Sequence, residues 1–126
     1  GSDVTVVTYG LMLHHCVEAA RELANESISV EVIDLRTLRP LDEETVLTSV
    51  EKTGKALVVH EDTRALGIGG EVAATISEKV FEYLDGPVIR LSGPEVPAMP
   101  YSPPLEKMFM LNTEKIINSI RRLADY

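Results

Sequence analysis

Tryptophan is missing from this chain, cysteine occurs once, and aromatic residues make up only 5% of the 126 positions. With 44% of residues hydrophobic, the core is therefore expected to be aliphatic and built from strands and helices. The lone Cys16 rules out an internal disulfide and fits a reducing compartment. Basic residues are also scarce, with 12 Lys and Arg against 20 Asp and Glu and a formal charge of -8. A nucleic-acid surface would need a basic stripe, and an acidic protein is better suited to docking a basic partner. No apolar run approaches the about 20 residues of a membrane-spanning helix. What is present suits a single domain, long enough to bury several strands beneath helices.

The apolar pattern alternates between strand and helix. Residues 4–8 read as a buried parallel strand, an unbroken β-branched run. A helix follows the Tyr9-Gly10 turn, with Leu13, Val17, Ala20 and Ala24 predicted to face the core. Residues 30–35 form the second strand. Asp42 is placed to cap a second helix whose acidic first turn suits the dipole, with Val46, Leu47 and Val50 inward and Gly54 as its C′ stop. The third strand is expected at 56–60, a third helix at about 70–84 and a fourth strand at 88–91. Residues 92–104 hold Pro94, Pro97, Pro100, Pro103 and Pro104 and predict an irregular crossing. A terminal helix at 113–124 would bury Ile116, Ile117, Ile120 and Leu123.

Such alternation implies right-handed crossovers and a parallel sheet covered on both faces, a three-layer α/β/α doubly wound fold with strand order 2-1-3-4. Gly1-Ser2 carries no pattern of its own and reads as an expression remnant, which places the single domain at 3–126.

In open α/β sheets, chemistry gathers at the carboxyl ends of the strands where the order reverses. That position is occupied by Tyr9-Gly10 and by His60-Glu61-Asp62. Histidine is the residue type suited to proton transfer near physiological pH, which singles out His60, but a general base needs an orienting partner and a pocket. The plainer alternative is that His60 bonds loop backbone and fixes the strand exit. Gly67-Ile68-Gly69-Gly70 lies between a strand and a helix, as a phosphate loop would. Val72 stands where that motif wants a third small residue, so Gly69 and Gly70 read rather as close packing at a subunit contact. His14-His15-Cys16 cannot face one ion, because adjacent helical residues point about 100° apart. Arg36 and Arg39 flank a rigid pair ahead of Pro40 and suit either a bidentate anion clamp or ion pairs within the fold or an interface. No Ser/His/Asp arrangement, zinc spacing or paired-carboxylate motif stands out.

Four segments together carry a resemblance. They are Val32-Ile33-Asp34-Leu35-Arg36-Thr37-Leu38-Arg39-Pro40-Leu41-Asp42, Val58-Val59-His60-Glu61, Gly67-Ile68-Gly69-Gly70-Glu71-Val72-Ala73 and Pro100-Tyr101-Ser102-Pro103-Pro104-Leu105-Glu106. From Asp3 to about Leu123 the chain resembles the last domain of the β subunit of thiamine-diphosphate 2-oxo acid dehydrogenases (the E1 component, pyruvate or branched-chain type), within the transketolase superfamily. The resemblance implies a parent enzyme that decarboxylates a 2-oxo acid and reductively acylates a lipoyl group. In that family thiamine diphosphate and its Mg ion lie between the alpha subunit and the β subunit's upstream domain. No catalytic, cofactor or metal residue therefore carries over, and the isolated domain is expected to be inactive.

The resemblance further implies an antiparallel edge strand, lacking here, beside residues 30–35. Assembly is implied with the E1 alpha subunit, with a second E1 β subunit, and with the small basic subunit-binding domain of the E2 acyltransferase. The last contact falls on Asp85 and on the terminal carboxylate at Tyr126. The expected location is cytoplasmic, or the mitochondrial matrix in a eukaryote. A transketolase or deoxyxylulose-phosphate synthase domain is a second reading, and a free-standing flavodoxin-like module a third.

Overall fold

The computed structural model describes residues 1–10, 12–35, 42–63, 68–93 and 111–126. In these residues four strands, β1 (Val4–Thr8), β2 (Val30–Asp34), β3 (Ala56–Thr63) and β4 (Ile89–Gly93), form one sheet in the order β2-β1-β3-β4. Every pairing is parallel, with Val6 opposite Val32 and Leu57 and with Val59 opposite Leu91. This is the doubly wound α/β order expected from the alternation. The ladder between β3 and β4 is interrupted between His60 and Thr63, so β3 runs past its predicted end through an irregularity.

β1 is an interior strand and every one of its residues is buried. Strand alternation divides its side chains between two cores. Val4 and Val6, with Leu57 and Val59 of β3, meet the helices α1 (Met12–Ala24) and α4 (Thr113–Ala124). Val7, with Ala56 and Val58, meets α2 (Glu43–Thr53) and α3 (Ile68–Lys79) on the opposite face. In β2 only Ile33 is buried, and among the described residues no strand pairs with its outer side. It is a sheet edge, as the strand order requires.

The helix ends follow local rules. Asp42 caps α2 by accepting from the Thr45 amide at 3.2 Å. Gly54 ends α2 in the left-handed region at φ 73° and donates its N–H to the Val50 carbonyl at 2.7 Å. Asn112 caps α4, accepting from the Lys115 amide at 2.9 Å. The buried stripe of α4 is Ile116, Ile117, Ile120 and Leu123, as predicted.

Two expectations need correction. In α1 the buried stripe is Met12, Cys16, Ala19 and Leu23, rather than Leu13, Val17, Ala20 and Ala24. Both stripes are apolar, and the one that α4 and the sheet cover is offset by one position. The third helix also stops early, at Lys79, and a single 3-10 turn at Phe81–Tyr83 replaces its last turn. Val80 is buried and Leu84 packs against the same core, so the apolar spacing that suggested a longer helix is met by a turn. The loop residues Leu38 and Leu41 and the proline crossing expected at 92–104 fall outside the described residues, apart from Ser92 and Gly93 at the end of β4.

Candidate functional site

The sheet has two ends of different character. At the carboxyl end, His60 is 1% exposed. Its ring stacks on Tyr9, with centroids 6.2 Å apart and planes 10° from parallel. The first turn of α3 lies directly on the His60 ring. A side-chain carbon on Gly69 would occupy the space of the His60 imidazole, and one on Gly70 would come within 2.9 Å of the Arg90 guanidinium. The two glycines therefore let a helix approach β3 and β4 of its own chain. The space over Gly69, where a phosphate cradle would open, is filled by a ring. Glu61 continues the backbone of β3, whereas Arg36, Arg39 and Gly67 lie outside the described residues. Among the described residues no three of His, Cys, Asp and Glu converge on a metal site. Among the described residues at this end, the His60 ring leaves no open cradle over Gly69 for a diphosphate.

The consecutive His14, His15 and Cys16 diverge as helical geometry requires. His14 is exposed, His15 Nδ1 lies 3.0 Å from the Thr113 hydroxyl, and Cys16 is buried in the α1–α4 core. Burial pushes the Cys16 thiol up to about 11, with the Thr8 hydroxyl acting in the opposite direction.

The amino end of the sheet brings together residues from three parts of the chain. The Asp85 amide donates to the Gly54 carbonyl at 2.7 Å, and its carboxylate lies against the bare Cα of Gly54. Gly86 follows, and the Tyr126 ring rests on it: an added Cβ there would be 3.0 Å from the ring's Cγ. The Lys55 ammonium donates to the Ala124 carbonyl at 3.0 Å, which ties the end of α4 to the start of β3. Asp85 and Tyr126 are thus neighbours through Gly86, and both are exposed. Sequence reasoning named these two residues but passed over Phe81 and Tyr83, which lie on the turn leading into Asp85 and are also exposed. Their signal was available: two aromatics beside Glu82, at spacings that a helix carrying Val80 and Leu84 inward would turn outward.

A third polar feature joins edge to centre. The fully buried Thr5 hydroxyl lies 2.7 Å from that of Ser49 and 2.8 Å from that of Thr53. Ser49 donates to Glu31 at 2.6 Å, and Glu31 also meets Lys52 at 2.8 Å. The Lys52 ammonium and then the Ser49 hydroxyl hold the Glu31 carboxyl below the usual carboxylate range. This ladder binds the edge strand to α2 beside a crevice of about 700 Å³ lined by Glu31, Asp34, Glu44, Thr45, Thr48 and Lys52. Among the described residues no helix is long and apolar enough to cross a membrane.

Comparison with known proteins gives the family of the chain. The family described as "Transketolase, C-terminal domain" matches residues 1–116. The 2-oxoisovalerate dehydrogenase subunit beta of Bacillus subtilis is 49% identical over all of this chain and 38% of that protein. The mitochondrial pyruvate dehydrogenase E1 component subunit beta of Dictyostelium discoideum is 46% identical over 98% of this chain and 35% of that protein. The chain thus spans little more than a third of the length of these relatives. A solved structure titled "Split gene transketolase, inactive beta4 tetramer" superposes with a TM-score of 0.79 at 25% identity, covering 99% of this chain and 40% of that one. The chain belongs to the transketolase C-terminal domain family, and these two relatives within it are β subunits of 2-oxo acid dehydrogenases.

Proposed function

We propose that this domain assembles and docks the β subunit of a thiamine-dependent 2-oxo acid dehydrogenase, whose whole enzyme decarboxylates a 2-oxo acid and passes the acyl group to a lipoyl carrier. The observation that carries the reading is the meeting of Asp85 and Tyr126 on one exposed face, in a chain whose relatives at 46–49% identity are such β subunits. The alpha subunit and a second β subunit are its assembly partners. The basic subunit-binding domain of the acyltransferase is the partner of the Asp85 face. Thiamine diphosphate and its Mg ion belong to other parts of that enzyme. The isolated chain then binds no cofactor and turns over no 2-oxo acid. A transketolase role draws on the solved neighbour at 25% identity and ranks second to the dehydrogenase reading.

The test is Asp85→Ala in the native-length β subunit assembled with its alpha partner. Calorimetric titration with the acyltransferase's basic subunit-binding domain should show affinity falling by about 2 kcal/mol, since removing one partner of a desolvated charge pair costs that much or more. The dependence on salt should flatten as well. Unchanged affinity and unchanged salt dependence would take Asp85 out of the interface and leave the domain an internal structural role.

A further inference from the structure

One short segment holds both halves of the amino end of the sheet. Gly54, between α2 and β3, takes the Asp85 amide on its carbonyl at 2.7 Å. Its neighbour Lys55 donates from its ammonium to the Ala124 carbonyl at 3.0 Å. Two consecutive residues thus hold the turn that carries Asp85 and the end of α4, beyond which the Tyr126 ring rests on Gly86. The last carbonyls of a helix lack partners within it, and that end carries negative character. Of the basic residues in the last turn of α4, Arg121 is engaged with Glu26 at 2.8 Å and Arg122 is exposed. The cation on the Ala124 carbonyl comes instead from the start of β3.

Buried hydroxyls hold Lys55 in its turn. Its carbonyl accepts from the Thr5 amide at 2.9 Å and from the Thr53 hydroxyl at 3.0 Å. The Thr53 hydroxyl lies 2.8 Å from that of Thr5, which continues to Ser49 and on to Glu31. A run of polar contacts therefore extends from the edge strand, through the core, to the root of Lys55. Burying hydroxyls is unfavourable unless they are paired, and packing β1 against α2 requires none. What these three fix is the backbone at residues 53–55. A part-buried lysine stem rooted on that fixed backbone has few other places to put its ammonium.

We infer that Lys55 is the positioning residue of the Asp85–Tyr126 face, latching the end of α4 to the strand start that holds Asp85 and so setting the spacing between the two. This rests on the docking role proposed above and adds the residue that forms the surface in advance. A surface ordered beforehand binds more tightly than one ordered by its partner. The sign of the charge separates this role from plain electrostatics. Removing a lysine makes the face more acidic, which by charge alone strengthens attraction to a basic domain. Removing a latch weakens it.

The native-length β subunit, assembled with its alpha partner, is titrated calorimetrically with the basic subunit-binding domain at low and high salt. Wild type is compared with Asp85→Ala, Lys55→Met, Lys55→Arg and Lys52→Met. Lys55→Met keeps the stem and loses the charge and donors, whereas Lys55→Arg keeps both. Lys52→Met removes an equal charge from a side chain that meets Glu31. Lys55→Met should bind about tenfold more weakly at both salt concentrations. Lys55→Arg should bind like wild type, and Lys52→Met no more weakly than wild type. The 126-residue chain gives a readout that needs no partner, because the Tyr126 ring lies against Gly86. Its ring current should shift the Gly86 Hα signals in NMR spectra of wild type and Lys55→Arg, and the shift should collapse in Lys55→Met. The buried stripe of α4 is untouched, so thermal melts should show all variants folded. If Lys55→Met binds as tightly as wild type or more so, while Asp85→Ala weakens binding, the inference falls and the docking role stands. Unmoved Gly86 signals in Lys55→Met refute the latch whatever the titrations show. If Asp85→Ala binds like wild type, the docking role falls and takes this inference with it.

Discussion

Gly54 carries two constraints at once, and a substitution there separates them. Its φ of 73° lies in the left-handed region, where a residue with a Cβ costs roughly 1–2 kcal/mol. Its missing side chain leaves room for the Asp85 carboxylate, with the Tyr83 carbonyl 3.1 Å from where a Cβ would be. Gly54→Ala also restricts the unfolded chain, which returns about 0.4–1 kcal/mol. The carboxylate is the mobile end of a side chain and can swing away, but the Tyr83 carbonyl is backbone. The net expectation is a loss of about 1–2 kcal/mol, which urea unfolding reads as a lower midpoint at unchanged slope. Gly54→Asn keeps the collision but tolerates the dihedral, so it should lose less than alanine. In Gly54→Ala/Asp85→Ala the collision with the carboxylate is gone, and the pair should be more stable than the sum of single effects by about 0.5–1 kcal/mol. Additive losses would mean that Asp85 does not fill the space over Gly54. A Gly54→Ala protein as stable as wild type would refute the reasoning entirely.

Two further outcomes concern protons. The Cys16 thiol ionises at about 11 in the fold against 9.0 when exposed, so the unfolded chain releases its proton first as pH rises. The stability this group provides is therefore complete below about pH 9 and lost toward pH 11, amounting to about 2–3 kcal/mol. Alkaline unfolding curves should show this slope in wild type and lose it in Cys16→Ala, and iodoacetamide at pH 8 should leave the native thiol unmodified. A Cys16→Ala curve parallel to wild type would place the thiol outside the core. Glu31 shifts the other way: its ion pair helps above the ordinary carboxylate range and is lost as acid protonates it. Because Lys52 is 50% exposed, the gain is only about 0.5–1 kcal/mol. Acid titration of stability in Glu31→Gln should be flatter than wild type by that amount, and an equal slope would remove the pair from the account.

The fold was legible because β1 is an unbroken β-branched run and α2 and the terminal helix carry their own caps. Strand order was placed by the pattern of open doubly wound folds, and the α4 stripe by four spaced aliphatic residues. The α1 stripe was not legible, since Met12, Cys16, Ala19 and Leu23 and the neighbouring Leu13, Val17, Ala20 and Ala24 are comparable in apolarity. Only contact with α4 and the sheet selects between them. The end of α3 was missed for a related reason: Ile76, Val80 and Leu84 keep a helical spacing that a 3-10 turn also satisfies at its flanks.

Glycine and threonine mark a further limit. Gly69 looks like a phosphate loop until His60 is found beneath it, and Thr5 looks like any strand residue until Ser49 and Thr53 meet its hydroxyl. In both cases the reason for the residue lies across the fold from it. The same long-range view separates the two ends of the sheet. At the carboxyl end, small residues allow α3 to press onto His60 and Arg90. At the amino end, Gly54 and Gly86 make room for Asp85 and Tyr126, both exposed. Glycine thus admits a packed ring at one end and makes room for exposed side chains at the other.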